Sequence, residues 1–288
     1  MTCRVVAELS ANHNGDLARA ISIVDAAARA GAWGVKFQTF TPEQMVSPDL
    51  MITGGPWAGR RAIDLYRETQ TPRAWHPGLF AHARKLGLVA FSSVFHPDDV
   101  DFLETLDCPI YKIASFELTD LALIRHAAKT GKPVVLSTGM ADDLDIWHAL
   151  KTTDWGTVDQ REQAPTLLKC TSAYPADASE ANLATMVDMA RIFKPCPVGL
   201  SDHTHGIGVA VAAVALGATM IEKHLTLSRA DGGPDAAFSM EPAEFAQLVT
   251  ECRRAEQAIG KVSYGPTVSE AASQMLRRPP GGKRGAIA

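Results

Sequence analysis

The chain has 288 residues, 46% of them apolar and 21% charged, and its 28 basic and 32 acidic side chains leave a formal charge of −4. That length suits one large α/β domain or two smaller ones, and the balanced charge, with no block of one sign, argues against a nucleic-acid surface or a polybasic membrane patch. No apolar run reaches the ~20 residues that span a bilayer, MTCRVVAEL enters a strand-like run without a signal-peptide core, and the five scattered cysteines form neither a zinc pair nor a disulfide framework, so a reduced, cytoplasmic compartment is expected.

Short β-branched runs at 4–8, 32–38, 89–93, 110–114, 133–137, 166–170, 198–201 and 220–223 read as strands. Helical patterns at 17–30, 74–86, 98–106, 121–130, 144–151, 183–193, 207–216 and 242–259 alternate with them. Asp16, Pro97-Asp98 and Thr119-Asp120 are helix-start signals, and Gly31, Gly87, Gly131 and Gly217 close helices before the next strand. This alternation predicts a parallel sheet covered by helices, and eight units in about 260 residues favour a closed (β/α)8 TIM barrel over an open doubly wound sheet. No GxGxxG follows the first strand, which removes the main support for a dinucleotide fold. Segment 41–71, with Gly54, Gly55, Pro56 and Gly59, is a βα loop of the length that functional lids have. Residues 1–262 are expected to form the barrel and 263–288 a linker or tail, because the core pattern stops after Gly260.

In a packed barrel the C-terminal strand ends are the place left for chemistry. Here they carry Glu8, then Lys36 and Gln38 on one strand face, then Ser92-Ser93, then Lys112 with Ser115 and Glu117 just beyond. Ser137-Thr138-Gly139, Thr171-Ser172, Ser201-Asp202-His203-Thr204 and Glu222-Lys223-His224 close the remaining strands. A lone strand-end lysine is normally solvated, but Lys36 and Lys112 stand in apolar runs, where an ammonium group needs an anion beside it. Two such lysines among small hydroxyls predict a cradle for a phosphate and a carboxylate. Of nine histidines, His76, His82, His126 and His148 fall in helical patterns and read as surface residues. His203 and His224 end adjacent strands and predict a shared divalent metal with open coordination positions. His205 reads as a loop residue, with a third ligand as the alternative, and Cys170 reads as a small core thiol. Glu117 is the candidate for proton transfer, while Glu8 and Asp235 are candidates for acid–base work or sugar hydroxyls. Asp235 reads equally well as a plain turn aspartate.

The strings AELSANHNGDLARA (7–20), GVKFQTF (34–40), YKIASFELTD (111–120), GKPVVLSTGM (131–140), LLKCTSAYP (167–175), VGLSDHTHGIG (198–208) and GATMIEKHLTL (217–227) occur in that order. Together they resemble the sialic acid synthase family, whose members make nonulosonic acids from phosphoenolpyruvate. LYRETQTPRAWH (65–76) and LSRADGGPDAAFSMEP (227–242) look most like its pseudaminic acid branch. The resemblance implies a phosphate-releasing condensation of phosphoenolpyruvate with an N-acetylated amino-sugar aldehyde, a diacetamido-trideoxy hexose in that branch. It implies manganese, with magnesium or cobalt as alternatives, on His203 and His224. It places phosphoenolpyruvate on Lys36, Lys112, Ser115, Ser137 and Ser201, with Gln38 and Tyr174 in the same pocket and Ser93 where the family often has threonine. The expected catalytic set is Glu117, Glu8 and Lys112; Glu117 manages the water proton, and Glu8 and Asp235 bind sugar hydroxyls.

The chain departs from the pattern at Ser172, where acetylneuraminate synthases have asparagine, at Val94 in place of proline, and at His205 in place of an apolar residue. Members usually form homodimers through a C-terminal antifreeze-like domain; YGPTVSE (264–270) resembles the approach to that domain, which is expected to be absent here. The alternatives are an N-acetylneuraminate or legionaminate synthase, a barrel making a keto-deoxy sugar phosphate, which would need more rim arginines, and a catalytically silent sugar-binding barrel needing a partner chain.

Overall fold

A computed structural model of the protein describes residues 2–55, 57–153, 155, 164–278 and 280–282, so Pro56 of the expected lid and 279 and 283–288 of the expected tail lie outside the described residues. Eight strands, β1 (Arg4–Glu8), β2 (Gly34–Thr39), β3 (Val89–Val94), β4 (Tyr111–Ile113), β5 (Val134–Ser137), β6 (Thr166–Cys170), β7 (Val198–Ser201) and β8 (Met220–His224), close into one barrel in chain order. Every neighbouring pair is parallel, including the closing pair β1 and β8. The fold is the (β/α)8 barrel that the alternation predicts.

The helices are α1 (Leu17–Arg29), α2 (Pro42–Met45), α3 (Ala62–Thr69), α4 (His76–Lys85), α5 (Pro97–Glu104), α6 (Leu121–Ala128), α7 (Asp143–Thr152), α8 (Leu183–Ile192), α9 (Gly208–Ala215) and α10 (Pro242–Ile259). α1 shows why they coat the sheet: Ala20, Ile23, Val24 and Ala27 recur at helical spacing and are all buried. Val5, Val6 and Ala7 of β1 are buried in succession, because the barrel packs one face and the helices cover the other. Each large apolar side chain buried this way contributes roughly 1.5–3 kcal/mol.

Three local expectations change. α5 is capped by His96 rather than by Pro97-Asp98: its Nδ1 accepts from the Asp98 N–H at 3.2 Å, and Asp99 accepts from the His96 N–H at 2.9 Å. Segment 41–71 is no bare loop, since it folds α2 and α3. His76 is not a surface residue but is fully buried. Its Nδ1 meets the Pro72 carbonyl at 3.1 Å and its Nε2 meets the Thr39 hydroxyl at 2.8 Å, satisfying both ring nitrogens of a neutral imidazole.

Burial holds the His76 pKa down at about 4, against an ordinary value of 6.5. A lowered folded-state pKa means the unfolded chain binds the extra proton first. The stability this site contributes is therefore present above about pH 6.5 and lost as pH falls toward 4, to a limit of ~3 kcal/mol. His76→Gln is expected to lose less melting temperature than the wild type between pH 7 and pH 5. Equal losses in the two proteins would sink this assignment.

The chain divides into units Met1–Gln257 and Ala258–Ala288. Within the second, Val268–Leu276 forms a 3-10 run capped by Thr267, whose N–H and hydroxyl both donate to Glu270. Among the described residues, no helix is long and apolar enough to cross a membrane.

Candidate active site

A cavity of about 730 Å³ opens at the C-terminal strand ends, within the size range of small-molecule sites. All thirteen residues singled out from the sequence line it. Its floor is a cluster of four buried ionisable groups drawn from three adjoining strands and β4. Lys36 Nζ pairs with the Glu8 carboxylate, donates to Ser93 Oγ at 2.8 Å and lies 3.7 Å from Glu222. Lys112 Nζ is also 3.7 Å from Glu222. Strand register makes the first contact inevitable, because Glu8 and Lys36 are direct partners across β1 and β2. The anion demanded by two buried ammonium groups is thus met within the chain.

The cluster shifts its own proton affinities. Burial raises the Glu8 pKa to about 7 even though Lys36 opposes it. Burial also opposes the charge on Glu222, yet Lys112 and Lys36 outweigh it and lower the pKa of that carboxyl. For Lys112 the balance is reversed: burial lowers its pKa, and Glu222 offsets only part.

Small hydroxyls surround this floor. Ser201 Oγ donates to Glu222 at 3.1 Å, and Ser115 Oγ accepts from the Gly139 N–H at 3.1 Å. Gly139 has no room for a side chain, because a Cβ there would run into the hydroxyls of Ser115 and Ser172. Ser137 Oγ is buried with no partner among the described residues, which leaves a donor directed at whatever fills the cavity. Glu117 sits in the 3-10 turn after β4, with Oε2 buried and without a partner among the described residues, and burial lifts its pKa to about 7 against the pull of Lys112.

His203 and His224 stand together at the mouth, with ring centroids 5.4 Å apart, and Tyr174 lies 4.3 Å from the His203 ring. His203 Nδ1 faces the Thr171 carbonyl at 2.9 Å, which places a proton on Nδ1. Burial opposes a second proton, but Cys170 and the Thr171 carbonyl outweigh it and raise the pKa, so Nε2 offers its lone pair once a metal displaces that proton. His224 Nδ1 is buried without a partner among the described residues, and burial together with His203 keeps that ring neutral. Two imidazoles offering lone pairs fit a divalent ion. Among the described residues no group of three or more His, Cys, Asp or Glu side chains is arranged for a metal, so the other positions would fall to water and substrate. His205 is exposed and off the cavity, in keeping with a loop role.

Over the mouth, segment 41–71 presents Met45, Val46, Leu50, Ile52 and Leu65 as an apolar wall. Trp57 fastens it: the indole N–H donates to the Pro234 carbonyl at 3.3 Å, and the ring lies 5.9 Å from Tyr174. Asp235, left open between a turn and a site role, is buried at this wall and accepts from Ser10 and the Ala11 N–H.

Residues 23–264 match the family model described as the NeuB family. The chain belongs to the NeuB family. It is 43% identical over 262 residues to the pseudaminic acid synthase of Helicobacter pylori, covering 90% of this chain and 76% of that one. It is 38% identical over 263 residues to the N,N'-diacetyllegionaminic acid synthase of Campylobacter jejuni, covering 89% of this chain and 77% of that one. Among solved structures, the N-acetylneuraminic acid synthetase of Leptospira borgpetersenii, determined with citrate, superposes with a TM-score of 0.82 at 30% identity, covering 95% of this chain and 90% of that one. The named relatives are synthases, and this NeuB-family chain is an enzyme.

Four residues of this NeuB-family site escaped selection from the sequence. Glu222 was recoverable, because it lies two positions before His224 and therefore on the same strand face. Lys223 between them points away and pairs with Asp202 at 2.7 Å. Cys170, read as a core thiol, is buried but also lines the cavity, 3.9 Å from His203. Burial opposes its ionisation, but His203, Ser115 and Lys112 outweigh it and bring the thiol to about 7. Trp57 and Ser10 lie in loops; Ser10 falls inside the family-like string 7–20, but nothing local set it apart from its neighbours.

Proposed function

We propose that this NeuB-family barrel joins phosphoenolpyruvate to the aldehyde of an open-chain diacetamido-trideoxy sugar, yielding a nonulosonic acid of pseudaminic type and inorganic phosphate. The observation that carries this reading is the pair of buried lysines, Lys36 and Lys112, facing one cavity with four serine hydroxyls and an imidazole pair. Protonation of Glu8, whose pKa is raised to about 7, leaves the two ammonium groups in excess over Glu222 and so able to take a phosphate and a carboxylate. Ser93, Ser115 and Ser137 supply short neutral donors, and Ser201 joins them when its proton turns from Glu222. Carbon 3 of phosphoenolpyruvate forms the new bond to the aldehyde carbon, whose oxygen takes up a proton. Water adds at carbon 2 and loses a proton; the bond from carbon 2 to the bridging oxygen then breaks, the carbon-2 hydroxyl gives up its remaining proton to become the ketone, and the departing phosphate takes one up. No step needs a Schiff base, so the lysines act as cations. A divalent ion on His203 and His224, manganese by preference, would polarise the sugar carbonyl. Glu117, with a pKa near 7 and a free buried oxygen, takes the water proton. Glu8 and Asp235 hold sugar hydroxyls. Identity of 43% to a pseudaminic acid synthase supports this sugar, and 38% to a legionaminic acid synthase makes its stereoisomer the second reading.

Phosphate release from phosphoenolpyruvate, measured with manganese, diacetamido-trideoxy sugars and N-acetylmannosamine, tests the reading. Release with none of them removes it. Glu117→Gln is expected to lower kcat by about 10²–10⁴-fold. It should also abolish the decline of rate as pH drops below about 7, because the raised carboxyl must be ionised to act as base. A variant that keeps that limb would show that another group is the base.

A further inference from the structure

We propose that Ser10 is a positioning residue for the amino sugar, holding Gln38 and Asp235 so that their wall of the cavity offers only hydrogen-bond acceptors. This rests on the functional reading above and adds to it a determinant of sugar binding.

Ser10 has φ +45°, the left-handed region in which a β-carbon crowds the following carbonyl and which glycine enters freely. A serine held there, buried at a cavity wall, carries strain that a glycine would not, so its hydroxyl is the feature to explain. That hydroxyl has one proton and gives it to Asp235. It accepts in turn from Gln38 Nε2 at 3.0 Å. The other N–H of the same amide is directed to Glu8 Oε1 at 3.3 Å.

The chain of bonds has a fixed direction. Gln38 spends both N–H groups on protein acceptors, so its carbonyl oxygen is the atom left for a ligand. A flipped amide would set that oxygen against the Glu8 carboxylate and would find Ser10 without a proton to give. Asp235 Oδ2 is occupied by Ser10 and by the Ala11 N–H at 3.2 Å, which leaves Oδ1. Two acceptors without competing donors suit the donor-bearing edge of an acylated amino sugar, its amide N–H and hydroxyls. They do not suit phosphate or carboxylate, whose donors are the neighbouring Lys36, held by the same Glu8, with Lys112 and the serines.

The test is steady-state kinetics of Ser10→Gly and Ser10→Ala beside the wild type, with melting temperatures of all three. Ser10→Gly removes the hydroxyl and the strain together, so it should melt at or above the wild-type temperature. KM for the sugar should rise roughly tenfold, as loss of one aligned hydrogen-bond network implies. KM for phosphoenolpyruvate should stay within about twofold. Ser10→Ala should show the same KM split at a lower melting temperature. A sugar KM unchanged in a folded Ser10→Gly enzyme, or equal rises for both substrates, would overturn the proposal alone. A wild type that releases no phosphate with any sugar overturns it together with the functional reading, so the two failures are told apart.

Discussion

Lys36→Met is expected to abolish phosphoenolpyruvate binding and to lower the melting temperature by about 5–15 °C near neutral pH. Among the described residues Lys36 is the single cation in contact with Glu8, and it also faces Glu222 and Ser93. Removing it strands buried negative charge, which typically costs ~3–5 kcal/mol. The loss depends on pH in a direction set by Glu8. Its pKa is already raised to about 7 and rises further without the lysine that opposes the shift. A carboxyl raised above its unfolded value loses stability as pH climbs toward its folded pKa, so the gap between wild type and variant should widen above pH 7. Adding Glu8→Gln should recover part of the melting temperature and none of the activity, because it removes the stranded charge but not the need for a phosphate-binding cation. Calorimetry at pH 6 and 8.5, with phosphoenolpyruvate titrated into each protein, checks both halves. Wild-type affinity for phosphoenolpyruvate in Lys36→Met would show that the anion site lies elsewhere.

The second large effect concerns His203 and His224. Chelation of divalent metal is expected to slow phosphate release by at least about 10³-fold, the scale of several kcal/mol of lost carbonyl polarisation. Manganese should restore the wild type but neither His203→Ala nor His224→Ala. A readout independent of turnover is the rise in melting temperature on adding manganese, which follows from binding to the folded state alone and should vanish in both variants. His203 also packs on Tyr174, so His203→Gln serves as the control that keeps more of that contact. Full activity of His203→Ala in chelated buffer would end the metal assignment.

What the sequence by itself determined was the frame. Eight strand-like runs and their capped helices specify a parallel sheet through hydrophobic period alone, and the closed barrel follows from their number. Polar strand ends were equally legible, because in a filled barrel only one rim is open to ligands; hence all thirteen selected residues line one cavity. His76 shows the limit of local pattern: it lies at the start of a helix like a surface residue, yet hydrogen bonds to the nearby Pro72 carbonyl and the distant Thr39 hydroxyl make its burial tolerable.

Only the tertiary structure decided the electrostatics. Glu8, Lys36, Lys112 and Glu222 are far apart along the chain and meet because strand register brings them to one floor. A strand's side chains alternate between faces, so a slip of one residue would have turned Lys223 inward and Glu222 outward, leaving the lysines without their counter-charge. The same holds for Cys170 against His203 and for the strained Ser10 between Gln38 and Asp235. Charge pairing and hydrogen-bond direction depend on distances of a few ångströms between residues that closure of the barrel brings together, and no local pattern in the sequence encodes those distances.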